Sequence, residues 1–150
     1  MLALLLAIAL TAAPKLPAVP PHGPAAFLWP AQGTITTPFS PGGHPGIDIG
    51  ILRSLRITAA AEGRVLLVGE PRGFEGYGNV VLVEVGGGYT TLYAHLSRAW
   101  VHPGEIVRPG QGLGVAGCTG YCTGTHLHFE VRLHGQAVSP MRIPFRAAHL

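Results

Sequence analysis

At 150 residues the chain has room for one ordinary domain with a hydrophobic core and too little for two. Glycine (22) and proline (14) supply roughly a quarter of the residues, but an apolar fraction of 47% excludes a disordered polar chain, and the frequent helix breakers exclude a helical one, so an all-β class is predicted. The net charge of +3 comes from arginines scattered without a run, which gives no support to nucleic acid binding and suits either solubility or attraction to an anionic polymer.

Residues 1–13 are nearly all Leu and Ala, about the length of a signal-peptide core and short of the ~20 apolar residues a membrane span needs. Export is the expectation, with no membrane span in the mature form. No Lys or Arg precedes the apolar run, and Pro14 follows the small residues Thr11-Ala12-Ala13, so an uncleaved N-terminus is the competing reading. Residues 14–26 are proline-rich and read as an extended linker. The folded domain is placed at residues 27–150.

From Gly33 onward short apolar or alternating runs are separated by turn signals. Strands are predicted over residues 35–39, 46–49, 64–68, 79–85, 89–96, 105–107, 113–116 and 126–133. Gly86-Gly87-Gly88 should close an antiparallel hairpin, and Pro103-Gly104 and Pro109-Gly110 should turn the chain on either side of a short strand. The predicted architecture is a compact antiparallel β-sheet or sandwich.

Histidines are the informative residues. In His126-Leu127-His128-Phe129-Glu130-Val131 a strand period of two puts both imidazoles on one face, with Leu127, Phe129 and Val131 turned to the core. Glu130 follows the histidine face and is read as a surface residue, with a supporting role behind a metal ligand as the alternative. His44 and Asp48 stand four residues apart in a segment where Pro45 and Gly46 argue against helix, so a loop leading into a strand can fold both around one centre. Alternation over residues 89–96 places His95 on the face of Tyr93, with Ala94 and Leu96 opposite, and Tyr93 is read as packing. Zinc takes imidazole nitrogen and carboxylate oxygen, and catalytic sites use three protein ligands with the fourth position open. His44, Asp48 and one member of the His126/His128 pair would make such a set. His22, His102, His134 and His149 fall outside these patterns and are read as surface residues; Gly43, Gly46, Gly120 and Gly124 are read as bends near the site.

The segments GGHPGIDIG, LYAHLS and GCTGYCTGTHLHFEVR, in this order and separation, resemble the signature segments of the lysostaphin-like, or LytM-type, zinc endopeptidases of peptidoglycan. The similarity runs from about Trp29 to the region of Ser139-Pro140, most of the folded chain. It implies a lysostaphin-like fold of the duplicated-hybrid-motif type, a monomer with one Zn2+ per chain, His44, Asp48 and His128 as ligands, and His95 and His126 as catalytic residues that do not bind the metal. It also implies peptidoglycan as partner and a place of work in the periplasm, cell envelope or outside the cell. Degenerate relatives lack ligands and activate other wall hydrolases; the expected residue types here are complete. Two departures stand out: residues 50–61 lack the usual glycine turn, and cysteines occupy 118 and 122 where small residues are common.

The chemistry implied is hydrolysis of a wall peptide bond, zinc providing both an activated water and a Lewis acid, with His126 as proton acceptor and His95 as hydrogen-bond partner of the tetrahedral oxyanion, the two roles being exchangeable. Activity should fall as pH drops through the range near 6, where imidazoles protonate. For Cys118 and Cys122 the first reading is a disulfide; the competitor is a structural zinc held by Cys118, Cys122, His126 and His128, whose spacing is wrong for such sites. Rival functions are a wall-binding or activator module on the same fold, a structural zinc protein and a metal carrier.

Overall fold

A computed structural model describes residues 24 and 26–146, so the apolar segment, most of the linker, His22 and His149 lie outside the described residues. The predicted all-β class holds: among the described residues, twelve strands and one short 3-10 turn, Pro140–Arg142, make up the regular structure. In chain order they are β1 (Phe27–Leu28), β2 (Thr34–Thr37), β3 (Ile47–Gly50), β4 (Arg56–Thr58), β5 (Gly63–Gly69), β6 (Asn79–Gly86), β7 (Tyr89–Ala99), β8 (Ile106–Val107), β9 (Gly112–Ala116), β10 (Leu127–Leu133), β11 (Gln136–Val138) and β12 (Phe145–Arg146). The main sheet runs β2-β3-β10-β7-β6-β5-β8, with β11 beside β10 and the β4–β9 pair joined to β7. All of its pairings are antiparallel, and β1 and β12 form a separate parallel pair. Among the described residues no helix is long and apolar enough to cross a membrane.

Local sequence explains the frame. The β6–β7 hairpin closes through Gly87 and Gly88 at φ +60° and +80°, a turn that needs left-handed residues at both central positions. All eight predicted strands are present, each end within two residues of its predicted place except that of β7, which runs on to Ala99. The strands β1, β4, β11 and β12 were not anticipated; each has three residues or fewer, too short for a period to register.

One face of the sheet carries the main core, in which Ile47, Ile49, Tyr93, Leu96, Leu127 and Phe129 are fully buried. Each such apolar side chain contributes roughly 1.5–3 kcal/mol by leaving water. Leu127, Phe129 and Val131 of β10 point into this core as their alternation requires, which turns His128 and Glu130 to the other face. There a smaller cluster of Val80, Leu92 and Ala94 packs with Phe74, Tyr77 and Leu82.

Strand β7 departs from simple alternation, and the departure matters. Val81 and Asn79 of β6 pair with Tyr93 and Leu96, so one extra residue of β7 bulges out between them. His95 sits in that bulge with φ +61°. Tyr93 and Leu96 therefore share the main core, while His95 joins the face of Ala94 and His128. The alternation-based placement of His95 beside Tyr93 is thus corrected: the left-handed residue turns the imidazole to the opposite side. Tyr93 is packing, as expected; its hydroxyl accepts from the Ala60 N–H at 2.8 Å inside the core, and burial pushes its pKa up to about 12.

Candidate metal centre

Three elements converge on one cleft. The loop before β3 is tied into a tight turn, with the His44 N–H donating to Ser40 Oγ (2.8 Å) and the Ser40 N–H to the His44 carbonyl (3.0 Å). Gly46 then passes against β10 so closely that a Cβ there would lie 2.4 Å from the Phe129 carbonyl oxygen, a passage only glycine permits. In β3, Asp48 is the register partner of His128 in β10, so pairing of the two strands sets carboxylate beside imidazole.

His44 Nε2, Asp48 Oδ1 and His128 Nδ1 form a triangle with sides of 3.2, 2.8 and 3.1 Å. Tetrahedral zinc with bonds of about 2.0–2.1 Å places neighbouring donors about 3.3 Å apart, so the triangle is close to that of a bound ion. The hydrogen bonds outside the triangle decide what fills it. His44 Nδ1 lies 3.0 Å from the Pro38 carbonyl and His128 Nε2 lies 2.9 Å from Glu130 Oε1. Carbonyl and carboxylate oxygens only accept, so both outer nitrogens carry hydrogen and both inner nitrogens of the neutral rings present lone pairs. Two lone pairs and a carboxylate facing one another at these distances require a cation between them: a divalent metal or, without one, a proton.

The electrostatics agree. Burial pushes the His128 pKa down, but hydrogen bonds to Asp48 and Glu130 outweigh it and hold the imidazolium above its usual range. Burial pushes Asp48 up, yet hydrogen bonds from His128 and Thr37 and the neighbouring imidazoles bring it down to about 2. A metal entering the triangle would displace the proton of His128.

Glu130 is corrected from a surface residue to a buried one. It has no exposed surface, and its carboxylate accepts from His128 Nε2–H (2.9 Å), the Tyr77 hydroxyl (2.6 Å) and Arg132 Nε–H (2.6 Å). Burial raises its pKa and these three donors overcome it, keeping the group ionised. Burial, and after it the hydrogen bond to Glu130, push the Tyr77 hydroxyl up to about 12, so it stays a donor. The signal available in sequence was position alone: Glu130 lies two residues beyond His128 on the same strand face.

His126 and His95 lie on the open side, their rings 4.8 Å apart. His126 Nε2 is 3.7 Å from Asp48 Oδ1, outside the triangle. Each ring has its Nδ1 2.7 Å from a backbone carbonyl, that of Gly124 for His126 and that of Thr119 for His95. Both therefore carry hydrogen on Nδ1, which in the neutral ring leaves Nε2 bare toward the cleft. Burial lowers the pKa of His95, and the Thr119 carbonyl only partly offsets it, so the ring stays neutral.

These residues line a cleft of about 650 Å3, rimmed by Pro45, Glu75, Tyr77, Tyr121 and Thr123. Among the described residues the group able to hold a metal is His44, Asp48 and His128. The rival structural zinc site does not form, because Cys118 and Cys122 are joined as a disulfide with their Cα atoms 5.3 Å apart, which takes both thiolates away. His102 and His134 are exposed, as read from sequence.

The profile of Peptidase family M23 matches residues 42–140, a span that contains all five site residues. The chain is 37% identical over 119 residues to the murein hydrolase activator NlpD of Salmonella dublin, covering 78% of this chain and 31% of that protein. It is 40% identical over 100 residues to the DD-carboxypeptidase/endopeptidase Mpg of Neisseria meningitidis serogroup B, covering 67% and 22%. A zinc-containing peptidase from Vibrio cholerae superposes with a TM-score of 0.71 at 30% identity, over 81% of this chain and 41% of that one. The chain spans about half or less of the length of the curated relatives it matches.

Proposed function

The chain belongs to peptidase family M23, and on that premise we propose that it is an exported zinc metalloendopeptidase cutting stem peptides or cross-links of bacterial peptidoglycan. The observation that carries the reading is the lone-pair count: two inner imidazole nitrogens and one carboxylate oxygen within 3.2 Å of each other, each imidazole locked in the ligand tautomer by an acceptor behind it. His44 Nε2, Asp48 Oδ1 and His128 Nδ1 would hold the ion. Zinc bound there supplies Lewis acidity at an open fourth position.

The remaining steps belong to the chain. His126 and His95 frame the open side with bare Nε2 atoms, so the first act of either is to accept a proton from the attacking water. The ring that takes it becomes the donor to the leaving nitrogen. This tautomer argument favours proton acceptance over initial donation for His95, whose neutral ring has no hydrogen to offer the cleft. Glu130, buried and ionised, keeps His128 oriented and basic. Export rests on the apolar segment 1–13.

A second reading, an activator or wall-binding module, is favoured by the likeness to NlpD, which is named as an activator. One experiment separates them. The protein is loaded with zinc, its metal content measured, and purified wall assayed for newly released amino groups, beside His126→Ala. Peptidase function predicts one zinc per chain, release by the parent and release slowed roughly 10²–10⁴-fold in the variant. Equal, negligible release by both with zinc bound would instead assign the activator role.

A further inference from the structure

The five-residue ring closed by Cys118 and Cys122 has no part in the mechanism above, yet a carbonyl inside it and one two residues beyond it accept from the two proton-transfer histidines. Within the ring, the Thr119 carbonyl takes Nδ1–H of His95 at 2.7 Å. Two residues past Cys122, the Gly124 carbonyl takes Nδ1–H of His126 at 2.7 Å, and His126 Nδ1 lies 3.7 Å from Cys122 Sγ. One of the two carbonyls that fix the tautomers thus lies inside a single covalent clamp and the other two residues beyond it.

The ring is also docked as a body. Thr119 Oγ1 accepts from the Asn79 N–H (3.0 Å) and donates to the Leu96 carbonyl (2.9 Å), and the Tyr121 N–H donates to the Gly76 carbonyl (2.8 Å). Gly78 and Gly120 meet backbone to backbone: a Cβ on Gly78 would lie 2.4 Å from the Thr119 carbonyl carbon, and one on Gly120 2.4 Å from the Gly76 oxygen. The same segment holds His95 itself, whose N–H donates to the Tyr77 carbonyl at 2.9 Å. By contrast, residues 123–125, Thr-Gly-Thr, are exposed and reach no strand before β10. Small residues of this kind have many backbone conformations to lose, and a short covalent ring removes much of that freedom in advance. A carbonyl displaced by an ångström would let its imidazole rotate or exchange tautomer, placing hydrogen on Nε2 and turning an acceptor into a donor.

We propose that the Cys118–Cys122 disulfide is a positioning element for both proton-transfer histidines, holding the Thr119 and Gly124 carbonyls so that His95 and His126 keep hydrogen on Nδ1. The proposal rests on the peptidase reading for its kinetic consequence only; its structural consequence is independent of any activity.

The test compares the zinc-loaded full chain with its Cys118→Ser/Cys122→Ser variant. Nitrogen-15 NMR of the imidazoles reads the tautomers, metal analysis reads zinc, and release of amino groups from purified wall gives kcat and KM. The expected result is unchanged zinc content, His95 and His126 shifting from Nδ1–H toward a tautomer mixture, and kcat falling roughly 10–100-fold with KM within about threefold, as for misplacement of catalytic groups. If the double variant does not fold, a phosphine applied to the folded parent, followed by reoxidation, supplies the same comparison, with recovery of both signals expected. Tautomers unchanged after loss of the disulfide would overturn the proposal. A parent that never cleaves wall would overturn the peptidase reading, and the NMR result would still decide the positioning role.

Discussion

The two halves of the cleft are built from the same side chain by opposite means. His128, on the ligand side, sits on a central strand with the buried carboxylate of Glu130 behind it, and its imidazolium is favoured. His95, on the open side, sits in a strand bulge with only a backbone carbonyl behind it, and burial favours its neutral form. An anion behind an imidazole raises its basicity and suits it to hold a cation; a neutral carbonyl fixes the tautomer and leaves the ring free to gain and lose a proton. Support chemistry thus sets His128 apart from His95 and His126, whereas His44, the other imidazole ligand, is backed by the Pro38 carbonyl and is distinguished by its place in the triangle.

That contrast can be broken most severely on the ligand side. His128→Ala or Asp48→Ala should abolish both stoichiometric zinc and wall cleavage, as metal analysis and the amino-group assay would record; a variant that kept its zinc would refute the ligand assignment. On the open side, His126→Ala should retain zinc while kcat falls roughly 10²–10⁴-fold, the usual contribution of a positioned acid–base group. Loss of zinc in that variant would erase the distinction between the two halves. A smaller effect should follow from Glu130→Gln, which keeps an acceptor for His128 but removes the charge: zinc affinity by competition with a chelator should weaken roughly 10–100-fold. Unaltered affinity would show that the anion behind His128 is not what tunes it.

The mildest test uses pH on the metal-free protein. His128 has a folded pKa raised above 6.5, so the stability it contributes is fully present below 6.5 and lost as pH rises through the folded value. Glu130 is depressed below 4.5, so its contribution is fully present above 4.5 and lost as pH falls through the lower folded value. The melting temperature of the metal-free chain should therefore decline on both sides of a window between these values. Zinc should move the optimum upward, because it needs His128 Nδ1 without hydrogen. A melting temperature that rises steadily from pH 6 to 8 without metal would contradict the proton-for-metal exchange.

Much of this was legible in the residues. The period of two in His126-Leu127-His128-Phe129 is enforced by Leu127 and Phe129 seeking the core, and the structure keeps it. Pro45 and Gly46 signalled a loop, and the close passage of Gly46 over the Phe129 carbonyl explains why one was needed. Periodicity failed at His95, because a single left-handed residue reverses the face and nothing in Tyr93-Ala94-His95-Leu96 announces a positive φ at histidine. Periodicity put Glu130 on the right face, but its burial was missed because charge suggests exposure, and only the arrival of Tyr77 from outside the strand, beside Arg132 two residues along β10, makes burial tolerable. Pairings such as Phe27 with Phe145 join the two ends of the domain through two residues each, which no local pattern encodes.

The most direct test of the central claim is anomalous diffraction from a zinc-loaded crystal. One zinc ion should be found bonded to His44 Nε2, Asp48 Oδ1 and His128 Nδ1, with the Nε2 atoms of His95 and His126 facing its open side and bonded to neither metal nor each other. An ion coordinated by His126 or His95, or no ion within the triangle at saturating zinc, would contradict the account.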